Sequence, residues 1–231
     1  MAEKFATVSG VAAPLLLGNI DTDTIAPGSR PLNRAKKQEF SEKGSASLAQ
    51  DLFGNWRYDK DGEEIPEFVL NRPEFRNAKI LLTGQNFGCG SSRETAVWML
   101  KEWGIRCIVA PSFGEIFYGN CFKNALLPVV LPESEIRAMA DETNLGPCEI
   151  NLAEKLIRTP ANRVLRLEVP EFLRRGLLDG LDEIDLTLQR EVEIAAFFSR
   201  AAKAWPWMYR LPPTGASIAN ANISPSEGSI T

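Results

Sequence analysis

The run from Lys79 to Trp103, KILLTGQNFGCGSSRETAVWMLKEW, constrains this chain more than any other stretch. Lys79-Ile-Leu-Leu-Thr83 is a short apolar run that reads as a buried strand, and Gly84, Gly88 and Gly90 break it with residues that tolerate φ > 0. Ser91 and Glu94 have the spacing of a capping box, which predicts a helix from about this point. Ala96, Val97, Leu100 and Trp103 fall on one face of it, and Gly104 supplies the stop. Unpaired N–H groups at the helix start would face whatever sits in front of Gly90, Ser91, Ser92 and Arg93, so an anion is expected there. Arg93 adds a planar fork of donors suited to a carboxylate or phosphate. The plainer alternative is that Ser91 only caps and Arg93 points to solvent. Two familiar phosphate loops fit poorly: no Gly-Lys-Ser/Thr follows, and Gly88-Cys-Gly90 lacks the third glycine of the dinucleotide fingerprint.

The same pattern repeats downstream. Ile105–Ala110 reads as a second buried strand, Pro111-Ser112 opens a second helix with an S-x-x-E box at Ser112 and Glu115, and Leu126–Leu131 is a third strand. Residues 79–131 are thus predicted to form β-α-β-α-β with parallel strands, placing the glycine loop at a strand's carboxyl end, where ligands bind in open α/β sheets. Upstream, residues 5–18 suggest edge strands, with Pro14 interrupting the apolar run. Gly18–Gly28 is a turn-rich loop carrying Asp21 and Asp23; paired acids can bind metal or act as acid and base, and Asx-turns are the commoner explanation for them. Residues 29–61 are polar, with Arg30, Arg34, Lys36 and Lys37, and are expected to form a short helix and a mobile loop. Beyond the central unit we expect a helix over 134–143, strands over 149–152 and 163–169, a helix over 170–178 begun by Pro170, a turn and short apolar segment over 180–188, and a last helix over 190–205. The Pro-, Asn- and Ser-rich end is expected to be disordered.

Composition narrows the chemistry. The chain's 231 residues suit one domain with an extension, and a net charge of -4 with no long basic run gives no reason to expect nucleic acid or an acidic membrane surface. No apolar run is long enough to span a bilayer, and MAEKFATVSG lacks the layout of a signal peptide, so a cytoplasmic location is expected. Cys89, Cys107, Cys121 and Cys148 form no C-x-x-C pair, so neither zinc nor an iron–sulfur cluster can be read from this chain alone. Cys89, beside the expected helix start, is either an activated thiol or a small space-filler. The histidine count is 0. That excludes a Ser-His-Asp or Cys-His nucleophile and an imidazole base, and makes the chain look like part of an active site.

The residues then carry a family resemblance over positions 1 to about 209. Met1-Ala-Glu-Lys-Phe5, Asn19-Ile-Asp-Thr-Asp23, Asn86-Phe-Gly-Cys-Gly-Ser-Ser-Arg-Glu94, Ala110-Pro-Ser-Phe113, Asn120-Cys-Phe-Lys-Asn124 and Gly180–Leu188 resemble the small subunits of 3-isopropylmalate dehydratase, in the aconitase superfamily. The resemblance implies an α/β fold, the swivelling β/β/α domain of the aconitase C-terminal type, over 1–209, followed by a 210–231 tail. It implies a large-subunit partner carrying a [4Fe-4S] cluster and the catalytic histidines, and no cofactor on this chain alone. By the same resemblance Ser91 matches the serine that, as an alkoxide, removes a proton α to a carboxylate, and Asp23 orients a partner histidine. Ser92, Gly90 and neighbouring N–H groups hold the substrate, Arg93 pairs with its carboxylate, and Thr22 belongs to the loop that approaches it. The implied reaction converts 2-isopropylmalate to 3-isopropylmalate by dehydration and rehydration in leucine biosynthesis, with iron as Lewis acid on the hydroxyl.

Two departures open other readings. Thr95 stands where the family has histidine, and the loop Ala26-Pro-Gly-Ser-Arg-Pro-Leu32 is altered, with Arg30 suited to a second charged group on the substrate. The alternatives are a paralogue acting on another 2-hydroxy acid, citramalate- or homoaconitate-like, or a non-catalytic binding relative.

Overall fold

The computed structural model describes residues 3–28 and 48–208. The polar stretch around Arg30, Arg34, Lys36 and Lys37 and the expected tail from 210 onward lie outside the described residues. The chain divides into two compact units, Met1–Leu186 and Thr187–Thr231.

The first unit is built on two four-stranded sheets. Strands β2 (Ala12–Leu15), β3 (Ile80–Thr83), β4 (Cys107–Ala110) and β5 (Leu127–Val130) lie side by side in that order, all parallel. Strands β1 (Thr7–Gly10), β6 (Cys148–Asn151), β7 (Leu156–Arg158) and β8 (Val164–Arg166) form the second sheet, all antiparallel. Pro14, which has no N–H to give a ladder, sits in the edge strand β2 opposite Leu82. β3 and β4 are buried at every position, as expected for inner strands covered on both faces.

Strict alternation along the parallel strands separates two cores. Ala13, Leu81, Ile108 and Ala110 face one cluster, completed by Ile25, Leu52, Phe53 and Phe87 and by Ala96, Val97 and Leu100 from helix α3 (Glu94–Trp103) and Phe117 and Cys121 from helix α4 (Glu115–Lys123). Ile80, Leu82, Cys107, Val109, Leu127 and Val129 face the other, where they meet Val8, Cys148, Ile150 and Ile157 of the antiparallel sheet. Helices α5 (Glu133–Asp141) and α6 (Glu171–Asp179) add Ile136, Met139 and Leu177 to that second cluster. The parallel sheet is thus covered by α3 and α4 on one face and by the antiparallel sheet together with α5 and α6 on the other. Side chains of period two cover both faces of one sheet, which is why a continuous apolar run such as Ile80–Leu82 is needed there.

Among the described residues two short helices, α1 (Thr22–Ile25) and α2 (Gly54–Arg57), also belong to this unit. Arg57 is 2 % exposed. Its guanidinium donates to Asn71 Oδ1 at 3.0 Å and to the Leu52 carbonyl, and lies 4.2 Å from the Trp103 ring centroid. Burial pulls its pKa down from the ordinary arginine value, chiefly by desolvation. It ties the segment after residue 48 to the end of α3. Helix α7 (Glu183–Leu188) follows α6, where the sequence suggests only a turn and an apolar segment. In the second unit, helix α8 (Glu191–Ala204) exposes Val192, Phe197 and Phe198, and Arg190 pairs with Glu193 at 2.5 Å.

The parallel β-α-β-α-β order agrees with the sequence expectation, but both predicted capping boxes are corrected. α3 begins at Glu94, with Arg93 at the N-cap and no side-chain cap; the Glu94 carboxylate instead accepts from Asn124 Nδ2 at 2.8 Å. α4 begins after Gly114, again uncapped by a side chain, because the Ser112 hydroxyl accepts from the Asn86 N–H at 2.8 Å. In each case a partner distant in sequence takes the group that local spacing assigns to the helix end.

Candidate active site

β2 and β3 run parallel, so the loops that leave their carboxyl ends, 16–22 and 84–93, emerge side by side. They continue as an irregular parallel ribbon. Asn19 N–H donates to the Gln85 carbonyl at 2.8 Å, Gly88 N–H to Ile20 at 2.7 Å, and Thr22 N–H to Cys89 at 2.9 Å. Asp21 and Cys89 form an isolated parallel bridge. A third strip joins from the carboxyl end of β4: Phe87 N–H donates to the Ser112 carbonyl and Gly114 N–H to Phe87.

Left-handed backbone at Asn19, Asn86, Gly88 and Gly90 lets the ribbon bend. Asn19 has φ 57° and Asn86 φ 58°, and their side chains bond to each other, Nδ2 to Oδ1 at 2.9 Å. Asparagine tolerates this region better than most residues. Gly88 has φ 72°, and a Cβ there would lie 2.2 Å from Phe117 Cγ. The glycine is required both by its conformation and by the aromatic ring beneath it, which packs against Phe87 at 5.4 Å between centroids.

The residues singled out in the sequence occupy the outer end of this ribbon. Asp21 is the N-cap of α1, its Oδ1 accepting from the Thr24 N–H at 2.7 Å. That bond holds its pKa below the usual aspartate value. Asp23 leaves the first turn of α1 exposed, and its Oδ1 lies 2.7 Å from Arg93 Nη2, a salt bridge across the two loops with both side chains about half exposed. Arg93 Nη1 also reaches the Ala26 carbonyl at 3.5 Å. The two aspartates thus divide into a cap and an ion-pair partner; among the described residues no three His, Cys, Asp or Glu side chains gather as a metal site.

Gly90, Ser91 and Ser92 are exposed beside this pair. Gly90 has φ 89°, and a Cβ there would approach Asp21 Cβ to 3.4 Å. Thr22 differs from its neighbours in being 2 % exposed: its hydroxyl donates to the Ser91 carbonyl at 2.7 Å. The arrangement is an exposed ledge with one fixed cation, two free-standing serines and a carboxylate, next to the first N–H groups of α3. Such a ledge suits a carboxylate ligand. Arg30 lies outside the described residues. The interlocked Asn19 and Asn86 were missed by sequence reasoning, although each sits at the mouth of a turn-rich loop, a position where asparagine signals αL backbone.

The cysteines are not arranged as cluster ligands. Cys107 and Cys121 are wholly buried, and desolvation pushes their thiols well up; Cys148 is raised to about 12 for the same reason. Cys89 is half-buried on the ribbon, its carbonyl engaged by Thr22.

A parallel sheet with helices on one face and an antiparallel sheet plus two helices on the other, carrying a serine-arginine loop at its strands' carboxyl ends, has the arrangement of an aconitase C-terminal-type domain. Residues 2–134 match the family described as aconitase C-terminal domain, and residues 183–210 match the family of C-terminal domains of the 3-isopropylmalate dehydratase small subunit. The 3-isopropylmalate dehydratase small subunit of Parvibaculum lavamentivorans is 46% identical over 209 residues, which cover 89% of this chain and 100% of that protein. The small subunit of Paramagnetospirillum magneticum matches at the same identity and coverage. This chain belongs to the 3-isopropylmalate dehydratase small-subunit family. In fold it is also similar to the crystal structure of 3-isopropylmalate dehydratase from Methanocaldococcus jannaschii, with a TM-score of 0.55 and 24% identity over 82% of this chain and 98% of that one. Among the described residues no helix is long and apolar enough to cross a membrane.

Proposed function

We propose that this chain is the small subunit of a heteromeric hydro-lyase that isomerises 2-isopropylmalate to 3-isopropylmalate in leucine biosynthesis, active only when joined to its large subunit in the cytoplasm. The observation that supports it most is the convergence of Ser91, Ser92, Arg93 and Asp23 on one exposed ledge, in a chain aligned along the full length of small subunits of that name. The chain contains no histidine, so the imidazoles, and with them the [4Fe-4S] cluster, belong on this reading to the large subunit.

This chain's own part is to bind a carboxylate and move a proton. Arg93 offers its guanidinium fork to the substrate carboxylate, and Gly90 and Ser92 add main-chain N–H groups and a hydroxyl beside it. Ser91 Oγ, as its alkoxide, removes the proton α to that carboxylate while the hydroxyl leaves the neighbouring carbon with the Lewis-acid assistance the large subunit's cluster would supply, and it returns a proton when water adds back in the opposite sense. A serine is a poor base unless its anion is stabilised, and the adjacent cation and helix-start N–H groups supply that stabilisation. Asp23 holds Arg93 in place before substrate arrives and turns to a histidine of the partner in the assembled enzyme.

Thr95 and Arg30 favour a second reading, in which the substrate is another 2-hydroxy acid with a more polar side group. One experiment separates these readings from a non-catalytic role: Ser91→Ala in the complex reconstituted from both subunits. Loss of turnover with assembly intact supports Ser91 as the base, whereas retained turnover removes it from the chemistry.

A further inference from the structure

Thr22 belongs to the loop expected to touch substrate, yet its side chain is turned inward. The ribbon between the two site loops has backbone rungs only as far as Thr22 N–H to the Cys89 carbonyl. Past that rung the chain enters α1, and its next amides, including Ile25 N–H to Asp21 and Ala26 N–H to Thr22, are committed within the helix. The Ser91 carbonyl, two residues beyond Cys89, is met instead by the Thr22 hydroxyl at 2.7 Å.

We propose that Thr22 is a positioning residue that fixes the plane of the Ser91–Ser92 peptide and so aims the Ser92 N–H at the substrate carboxylate. The carbonyl and N–H of a trans peptide point in opposite directions and share one rigid plane. Anchoring the Ser91 carbonyl inward on a residue that is 2 % exposed therefore turns the Ser92 N–H outward, toward the exposed ledge beside Arg93. The hydrogen bond also polarises the amide, making that N–H a better donor. Threonine suits the task because its branched Cβ is stiff at χ1, and the buried methyl holds the hydroxyl in one rotamer. Gly90 lets the strand cross close to Asp21 just before this peptide, so the plane is set by Thr22 rather than by a side chain of its own.

The inference rests on the carboxylate-binding role given to Ser92 above, and its test has one readout that does not depend on turnover. Thr22→Val keeps the shape and removes the hydroxyl; Thr22→Ser keeps the hydroxyl. In the isolated chain, the Ser92 amide proton in ¹⁵N–¹H spectra is expected to move upfield in Thr22→Val and to remain near its original position in Thr22→Ser. In the reconstituted complex, Thr22→Val is expected to lower kcat/KM by about tenfold, less than the ~10²–10³ that loss of a whole oxyanion donor costs, with Thr22→Ser recovering most of it. An unmoved Ser92 amide in Thr22→Val overturns the proposal, as does Thr22→Ser falling as far as Thr22→Val in both readouts. A shifted amide with unchanged turnover shows that the clamp exists and that Ser92 N–H does not bind substrate, which overturns the proposal's second half.

Discussion

Arg93 Nη2 and Asp23 Oδ1 lie 2.7 Å apart, across two loops separated by seventy positions in sequence and brought together by the parallel pairing of β2 and β3. Both side chains are about half exposed, so the pair itself contributes at most ~1 kcal/mol to folding. Asp23→Asn should leave the melting temperature of the isolated chain within a few degrees and lower kcat in the complex; Arg93→Lys should mainly raise KM, by roughly tenfold to a hundredfold, because a point charge replaces a bidentate fork. Thermal unfolding together with steady-state kinetics checks both.

Ser91 neither caps α3 nor is buried, so its removal has little to destabilise. Ser91→Ala should change unfolding free energy by less than ~0.5 kcal/mol, where a capping serine would cost ~1 kcal/mol. Urea denaturation of the isolated chain distinguishes the two values.

The glycines of the loop should differ in their tolerance. Gly88→Ala places a Cβ against the Phe117 ring and forces a left-handed conformation, so it should cost about 3 kcal/mol or more and yield little folded protein. Gly90→Ala has the conformational strain without the collision, since the nearest heavy atom stands at 3.4 Å; a loss of ~1–2 kcal/mol is expected. Denaturant midpoints of the two variants provide the comparison.

Acid should weaken the N-terminal anchor. Hydrogen bonds from Arg106 and Lys101 hold the Glu3 carboxyl down to about 2 from an ordinary 4.5. A carboxyl depressed on folding stabilises the native state above its unfolded pKa, and that contribution fades as pH falls from 4.5 toward 2. Glu3 is half exposed, so the screened effect is under ~1 kcal/mol. Glu3→Gln should be less stable than the parent at pH 7 by that amount and should converge with it near pH 2, measured by thermal unfolding across that range.

How much of this was legible in the sequence follows from which forces are local. Leu81, Ile108 and Leu127 lie in apolar runs whose burial on both faces leaves a continuous signature, so the parallel strands could be placed to within two residues. Leu156-Ile-Arg158 is three residues long with an exposed Arg158, too short for period two to show, so β7 leaves no mark in the pattern. The capping boxes failed for a different reason: Asn124 and Asn86 compete for Glu94 and Ser112 across thirty and twenty-six positions, which no spacing rule contains. At the site, the glycines and Arg93 marked the loop as a candidate, whereas the pairing of Arg93 with Asp23 and the inward turn of Thr22 depend on the ribbon joining the two loops and could be seen only in the fold.

The most direct test of the account is the absorbance of the unsaturated intermediate when this chain is reconstituted anaerobically with its cognate large subunit and given 2-isopropylmalate or citramalate, with each subunit alone as a control. Turnover of 2-isopropylmalate is expected in the complex only. Equal or greater turnover of citramalate would transfer the assignment to another 2-hydroxy acid, and no turnover of either substrate, with assembly and cluster verified, would contradict it.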